Sequence, residues 1–172
     1  QCYYDVDYAD RFDELFGGLD IGRDPTGERG KYLVLDFNFT GVEKRLDRVQ
    51  DSFDEYCSLR LDVFARHHAA RLPPGAVEAV LAARHCHGKL NALTMLLKGS
   101  GLNLYILIDE YDNFTNTILA ESREGYEALC HGDGFFKQFF NGLKLATTGT
   151  DAPVTRLFVT GVTPVTMDDV TS

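Results

Sequence analysis

Leu104-Tyr105-Ile106-Leu107-Ile108-Asp109-Glu110 decides how this chain is read, because an unbroken apolar run ends abruptly in two adjacent carboxylates. A run that short and continuous suits a strand buried on both faces of a parallel sheet. Charge is costly inside such a strand, so the acids belong where it emerges, at the carboxyl edge where open α/β sheets bind ligands. There the first acid can hold Mg²⁺, directly or through water, and the second can polarise an attacking water. A buried strand followed by a solvated Asp-Glu turn produces the same pattern, and the residues alone leave both readings open.

Two further strands flank this one in sequence. Lys31 to Thr40 has a buried centre at Leu33-Val34-Leu35, and Val154 to Thr160 (VTRLFVT) is the third. Between the first two strands, Val42, Leu46, Val49, Phe53, Tyr56, Val63 and Phe64 mostly recur at three and four. That spacing predicts a long amphipathic helix from Glu43 to about Leu72, closed by Pro73-Pro74-Gly75. A second helix is expected over residues 76–98, stopped by Gly99-Ser100-Gly101. Asp5 to Phe16 reads as the end of a helix with Gly17-Gly18 as its stop. Beyond Glu110 comes a polar segment, then helical patterns over residues 124–130 and 134–145. Strands alternating with helices imply an α/β fold with a parallel sheet and right-handed crossovers. The long helical pair between the first two strands is bulkier than a minimal crossover and could cover one face of that sheet.

Size and composition fit one globular domain over residues 1–172. The chain is long enough to bury a real core, and its 44% apolar and 25% charged residues are ordinary for a folded protein. A net charge of −9 argues against a broad basic nucleic-acid footprint. No apolar stretch approaches the roughly 20 residues that span a bilayer. The four cysteines, Cys2, Cys57, Cys86 and Cys130, lie far apart and read as free or buried thiols.

A nucleotide-hydrolysing domain also needs a phosphate cradle, G-x-x-x-x-G-K-[ST], after a strand and opening a helix. The tempting segment is Gly22 to Lys31, but Pro25 takes the place of the first required glycine and Tyr32 stands where Ser or Thr should bind Mg²⁺. It also precedes a strand instead of following one, so it reads as a surface turn. His67-His68 and His85-Cys86-His87 invite a metal hypothesis. Residues at i and i+2 of a helix point to different sides, which keeps His85 and His87 out of one tetrahedral site, and solvated or partly buried histidines are favoured. A nuclease reading would pair Asp36 with Asp109 or Glu110 around a metal. The acid-x-Lys element is missing, because Tyr111-Asp112 follows Glu110.

Four segments in order resemble the AAA-ATPase-like family, a P-loop NTPase group of bacterial proteins and Crinkler-type effectors. They are residues 12–21 (FDELFGGLDI), 34–38 (VLDFN), 106–112 (ILIDEYD) and 157–164 (LFVTGVTP). The resemblance implies a three-layer P-loop domain with the Asp109 strand between the other two. It implies ATP and Mg²⁺ as cofactors, with Asp109 and Glu110 as the Walker B acids: Asp109 on the metal and Glu110 as general base. Asp112 would lie in the following loop. Thr160 would resemble the sensor that hydrogen-bonds the attacking water or γ-phosphate, with Thr163 nearby. In family members a strand and Gly-Lys-Ser/Thr loop precede the region matching residues 5–16, so the chain is expected to be a fragment whose missing strand lies beside the Thr160 strand. Such a piece alone should be an incompetent ATPase. The implied protein is intracellular or, for an effector-type member, delivered into host cells. A catalytically inactive NTPase-like interaction or effector module is the alternative.

Overall fold

Leu33–Asn38 (β1), Leu104–Asp109 (β2) and Val154–Val159 (β3) form one sheet in a computed structural model of the chain that describes residues 1–162. All three strands are parallel, with β2 in the middle: Asn38 is in register with Asp109, and Ile108 with Val159. The α/β class, the parallel sheet and the central place of the Asp109 strand are therefore as expected.

Alternation along β2 separates the two faces of the sheet. Leu104, Ile106 and Ile108 are buried on one face, while Tyr105, Leu107 and Asp109 look the other way and are half-buried or exposed. The apolar run had read as a strand buried on both faces. Among the described residues the second face is covered only in part, with Tyr4 and Tyr32 packing edge-on to Tyr105. The outer strand β3 leaves Leu157 and Phe158 exposed, at 40% and 55%.

The chain between β1 and β2 is helical, as expected, but in three pieces. The first helix, Val49–His67 (α3), follows two short ones, Phe12–Phe16 (α1) and Asp20–Arg23 (α2). Residues 76–98, read as one helix, are Ala76–Ala82 (α4) and Cys86–Leu97 (α5), with His85 extended between them. The break has a cause in α3. Asp54 accepts a hydrogen bond from the Cys86 backbone N–H at 2.7 Å and lies 3.1 Å from His85 Nδ1, so its carboxylate caps a new helix start. After β2 come Asn113–Glu121 (α6), Arg123–Cys130 (α7) and Phe135–Ala146 (α8). The first of these falls on the stretch read as merely polar. Asp5 to Phe16 is a 3-10 segment, Val6–Arg11, running into α1, not a single helix end.

Helix α3 also closes the outer edge of β1. Backbone groups of alternate residues face outward there, and unpaired ones invite aggregation. Tyr56 Oη accepts from the Asn38 N–H at 2.8 Å, and Arg60 Nε donates to the Asp36 carbonyl at 3.0 Å. These partners are one helical turn apart against two strand residues, so α3 runs antiparallel to β1 and carries its last turn toward the amino end of the sheet. On the packed face, Phe39 is fully buried at the end of β1. Its ring lies 5.1–6.3 Å, centroid to centroid, from those of Phe37, Phe53, Tyr56, Phe114, Phe136 and Phe139. This aromatic knot fixes β1, α3, α6 and α8 together directly beneath the carboxyl edge.

Candidate functional site

Three neighbouring strands end at one height, and each contributes a polar side chain. Asp109 stands at the tip of β2. Its Oδ2 accepts from Asn38 Nδ2 of β1 at 3.0 Å, and its Oδ1 accepts from the hydroxyl of Thr160, the residue after β3. Oδ1 also accepts from the Glu110 N–H at 3.1 Å. The ladder continues past β3, with the Thr160 N–H donating to the Ile108 carbonyl at 2.8 Å, which is what brings the threonine level with Asp109. Asp109 and Thr160 are thus in direct contact. Asn38, quoted above only within residues 34–38, proves to be the third member, and the parallel register that aligns it with Asp109 could not be read from spacing.

Glu110 turns the chain out of the sheet. Its φ of 55° makes it the one non-glycine residue with positive φ among the described residues, a conformation that costs a side chain about 1 kcal/mol. Its Oε2 accepts from Asn113 Nδ2 at 3.3 Å. The next residue crosses to the neighbouring strand, with the Tyr111 N–H donating to the Thr160 carbonyl at 3.0 Å. Asp112 is fully buried and acts as a brace: its two carboxylate oxygens accept from the Val162 N–H, each at 3.0 Å, and Oδ2 also takes Asn116 Nδ2 at 2.9 Å. The loops after β2 and β3 are thereby tied together under the site. Thr163 lies outside the described residues.

Gly161 makes that crossing possible. A Cβ there would sit 2.3 Å from the Tyr111 ring and 2.5 Å from Asp112 Oδ1. Gly161→Ala should therefore force the two loops apart and destabilise the fold by about 1–3 kcal/mol. Urea denaturation checks this; an unchanged midpoint would show that the loops separate without cost.

The strand tips open onto a cavity of about 470 Å³ whose walls include Asp36, Asn38, Tyr105, Leu107, Asp109 and Thr160. An Mg²⁺ ion takes oxygen ligands, often one or two carboxylates with several waters retained, and the Asp109 carboxylate beside the Thr160 hydroxyl is a donor set of that kind. The residues present fit the metal. The same lining offers no lysine or arginine among the described residues, so it does not by itself cradle a polyphosphate. Glycine-rich residues 22–31 are at the other end of the sheet: they lead into Tyr32 and Leu33 at the start of β1, and Glu28 is held there by the Tyr32 hydroxyl and by Arg156 at 3.2 Å. Asp36 borders the same cavity as Asp109. Asp36 Oδ1 accepts from Arg60 Nη2 at 2.5 Å, which commits that carboxylate to α3.

The four histidines at 67, 68, 85 and 87 fall in two places. His85 and His87, expected on different sides of one helix, instead stack with centroids 6.1 Å apart because His85 lies extended before α5, and His85 engages Asp54. At the end of α3, His67 Nε2 lies 2.5 Å from Asp7 Oδ2. His68 is only 3% exposed, and burial pushes its pKa down to about 4, so its ring is neutral at pH 7. Burial opposes ionisation of Asp7, but the His67 hydrogen bond and the Arg71 charge outweigh it and hold the carboxyl below its usual range.

A parallel α/β sheet with an acid-tipped central strand is an architecture that binds ligands at its carboxyl edge. The family model described as Predicted AAA-ATPase matches residues 1–171, and the chain belongs to that AAA-ATPase-like family. No match was found among curated proteins or among solved structures. No helix among the described residues is long and apolar enough to cross a membrane.

Proposed function

We propose that the domain, in its full-length protein, binds ATP with Mg²⁺ at the strand tips and hydrolyses it, Asp109–Glu110 serving as the Walker B acids. One observation carries the reading: Asn38, Asp109 and Thr160 converge from three adjacent parallel strands, with Glu110 at the next position in a left-handed backbone conformation. Bound Mg²⁺ would supply charge neutralisation at the phosphates. Asp109 would hold the metal, while Asn38 and Thr160 fix the orientation of its two oxygens, as hydrogen-bonded outer partners do for ligating carboxylates. Glu110 takes the proton of the attacking water on its carboxylate, which Asn113 steers. The Thr160 hydroxyl, its proton given to Asp109, accepts a hydrogen bond from that water.

The test is phosphate release by the full-length protein. Turnover should require Mg²⁺, and Asp109→Asn should lower it by about 100-fold or more. A folded wild-type protein that neither binds ATP nor releases phosphate would replace this reading with the second one, an NTPase-like interaction or effector module without turnover.

A further inference from the structure

We propose that Asp7, His67 and His68, where the 3-10 segment Val6–Arg11 meets the end of α3, form a binding site for a borderline-soft divalent cation of the Zn²⁺ class. One carboxylate oxygen and one ring nitrogen from each histidine lie within 4.8 Å of one another. Ligands of a tetrahedral Zn²⁺ sit about 3.4 Å apart, so side-chain rotations of about 1 Å close the set. The closest pair, His67 Nε2 and Asp7 Oδ2 at 2.5 Å, would open by about 0.9 Å as the ion replaced the hydrogen bond between them.

Several features set these residues apart from scattered surface histidines. His68 is buried and fixed against Phe64, with ring centroids 4.6 Å apart, so one ligand is held rigidly while Asp7 and His67 remain reachable from water. Asp7 is itself positioned: its backbone N–H donates to Asp5 Oδ1 at 3.0 Å, and Asp5 is 6% exposed. The cluster borders a cavity of about 530 Å³ that also reaches Asp36 and Arg60, which leaves a fourth coordination position for water. The set also already gathers around a positive charge. Arg71 Nη1 lies 2.7 Å from Asp7 Oδ1 and 3.4 Å from His68 Nδ1, on a side chain 45% exposed. A metal ion would take over that role as Arg71 swings into solvent. Two imidazoles and one carboxylate select Zn²⁺ over Mg²⁺, which prefers all-oxygen shells.

The ion would tie the 3-10 segment Val6–Arg11 to the end of α3, a link between parts of the chain 60 residues apart. Binding would accordingly raise thermal stability by mass action.

Titration calorimetry of the 172-residue chain with Zn²⁺ should give one site with a dissociation constant of about 10 µM or tighter. His67→Gln and Asp7→Asn should each weaken it by at least about tenfold. Arg71→Gln should tighten binding, because it removes the competing cation. Co²⁺ in place of Zn²⁺ should show the visible absorption of a four-coordinate ion. Folding of every variant is verified by circular dichroism. Absence of binding at 100 µM Zn²⁺ (about ten times the expected constant), or binding unaffected by both His67→Gln and Asp7→Asn, overturns the site.

Discussion

Full-length protein carrying Glu110→Gln should bind Mg·ATP within about threefold of wild type yet lose at least about 100-fold in turnover. The substitution keeps the shape of the side chain and its acceptor oxygen for Asn113, so the loop it anchors should stay in place. What disappears is a carboxylate able to accept a proton from water. Asp109 is untouched, with its contacts to Asn38 and Thr160, and the metal-binding end of the site is preserved. Single-turnover phosphate release beside equilibrium ATP binding separates the two effects. Parental turnover in the variant would remove Glu110 from the chemistry, and equal loss of binding and turnover would make it a binding residue.

Phe39→Ala should be the most damaging core substitution, lowering stability by about 3–5 kcal/mol. Phe39 is fully buried, and its ring contacts aromatic side chains from β1, α3, α6 and α8. Neighbours on four separate elements cannot all collapse into the space left, so a cavity persists and its cost adds to the lost transfer energy. Against a typical total of about 5–15 kcal/mol, that loss is a large share. A denaturant titration that moved by less than about 1 kcal/mol would mean that the aromatic cluster is plastic.

The strands and the acids at the tip of β2 were legible because burial and charge are written locally. An apolar run ending in Asp109-Glu110 has few places to go in an α/β fold, and the family resemblance carried the strand order and Thr160. Asn38 was harder: its contact with Asp109 spans 71 residues and depends on parallel register, which no spacing encodes. The same distance problem hid Asp54, whose side chain on α3 starts α5 and so splits a helix that looks continuous in sequence. Helix α6 was missed because Asn113-Phe114-Thr115-Asn116-Thr117 is poor in helix formers; burial of Phe114, Thr115 and Ile118 overrides propensity there. Asp7 carried no signal either, since its relation to His67 exists only after the 3-10 segment has packed beside α3.

The left-handed backbone at Glu110 bears on how this protein could be improved in the laboratory. Glycine or asparagine occupies such a conformation more comfortably than glutamate. A library sorted only for survival at high temperature would therefore tend to enrich both at position 110, each gain being worth about 1 kcal/mol. Either change deletes the carboxylate that the proposed hydrolysis requires. Selection for robustness and selection for catalysis pull in opposite directions at this single residue, and a thermostabilised version of the domain would need position 110 held fixed from the outset.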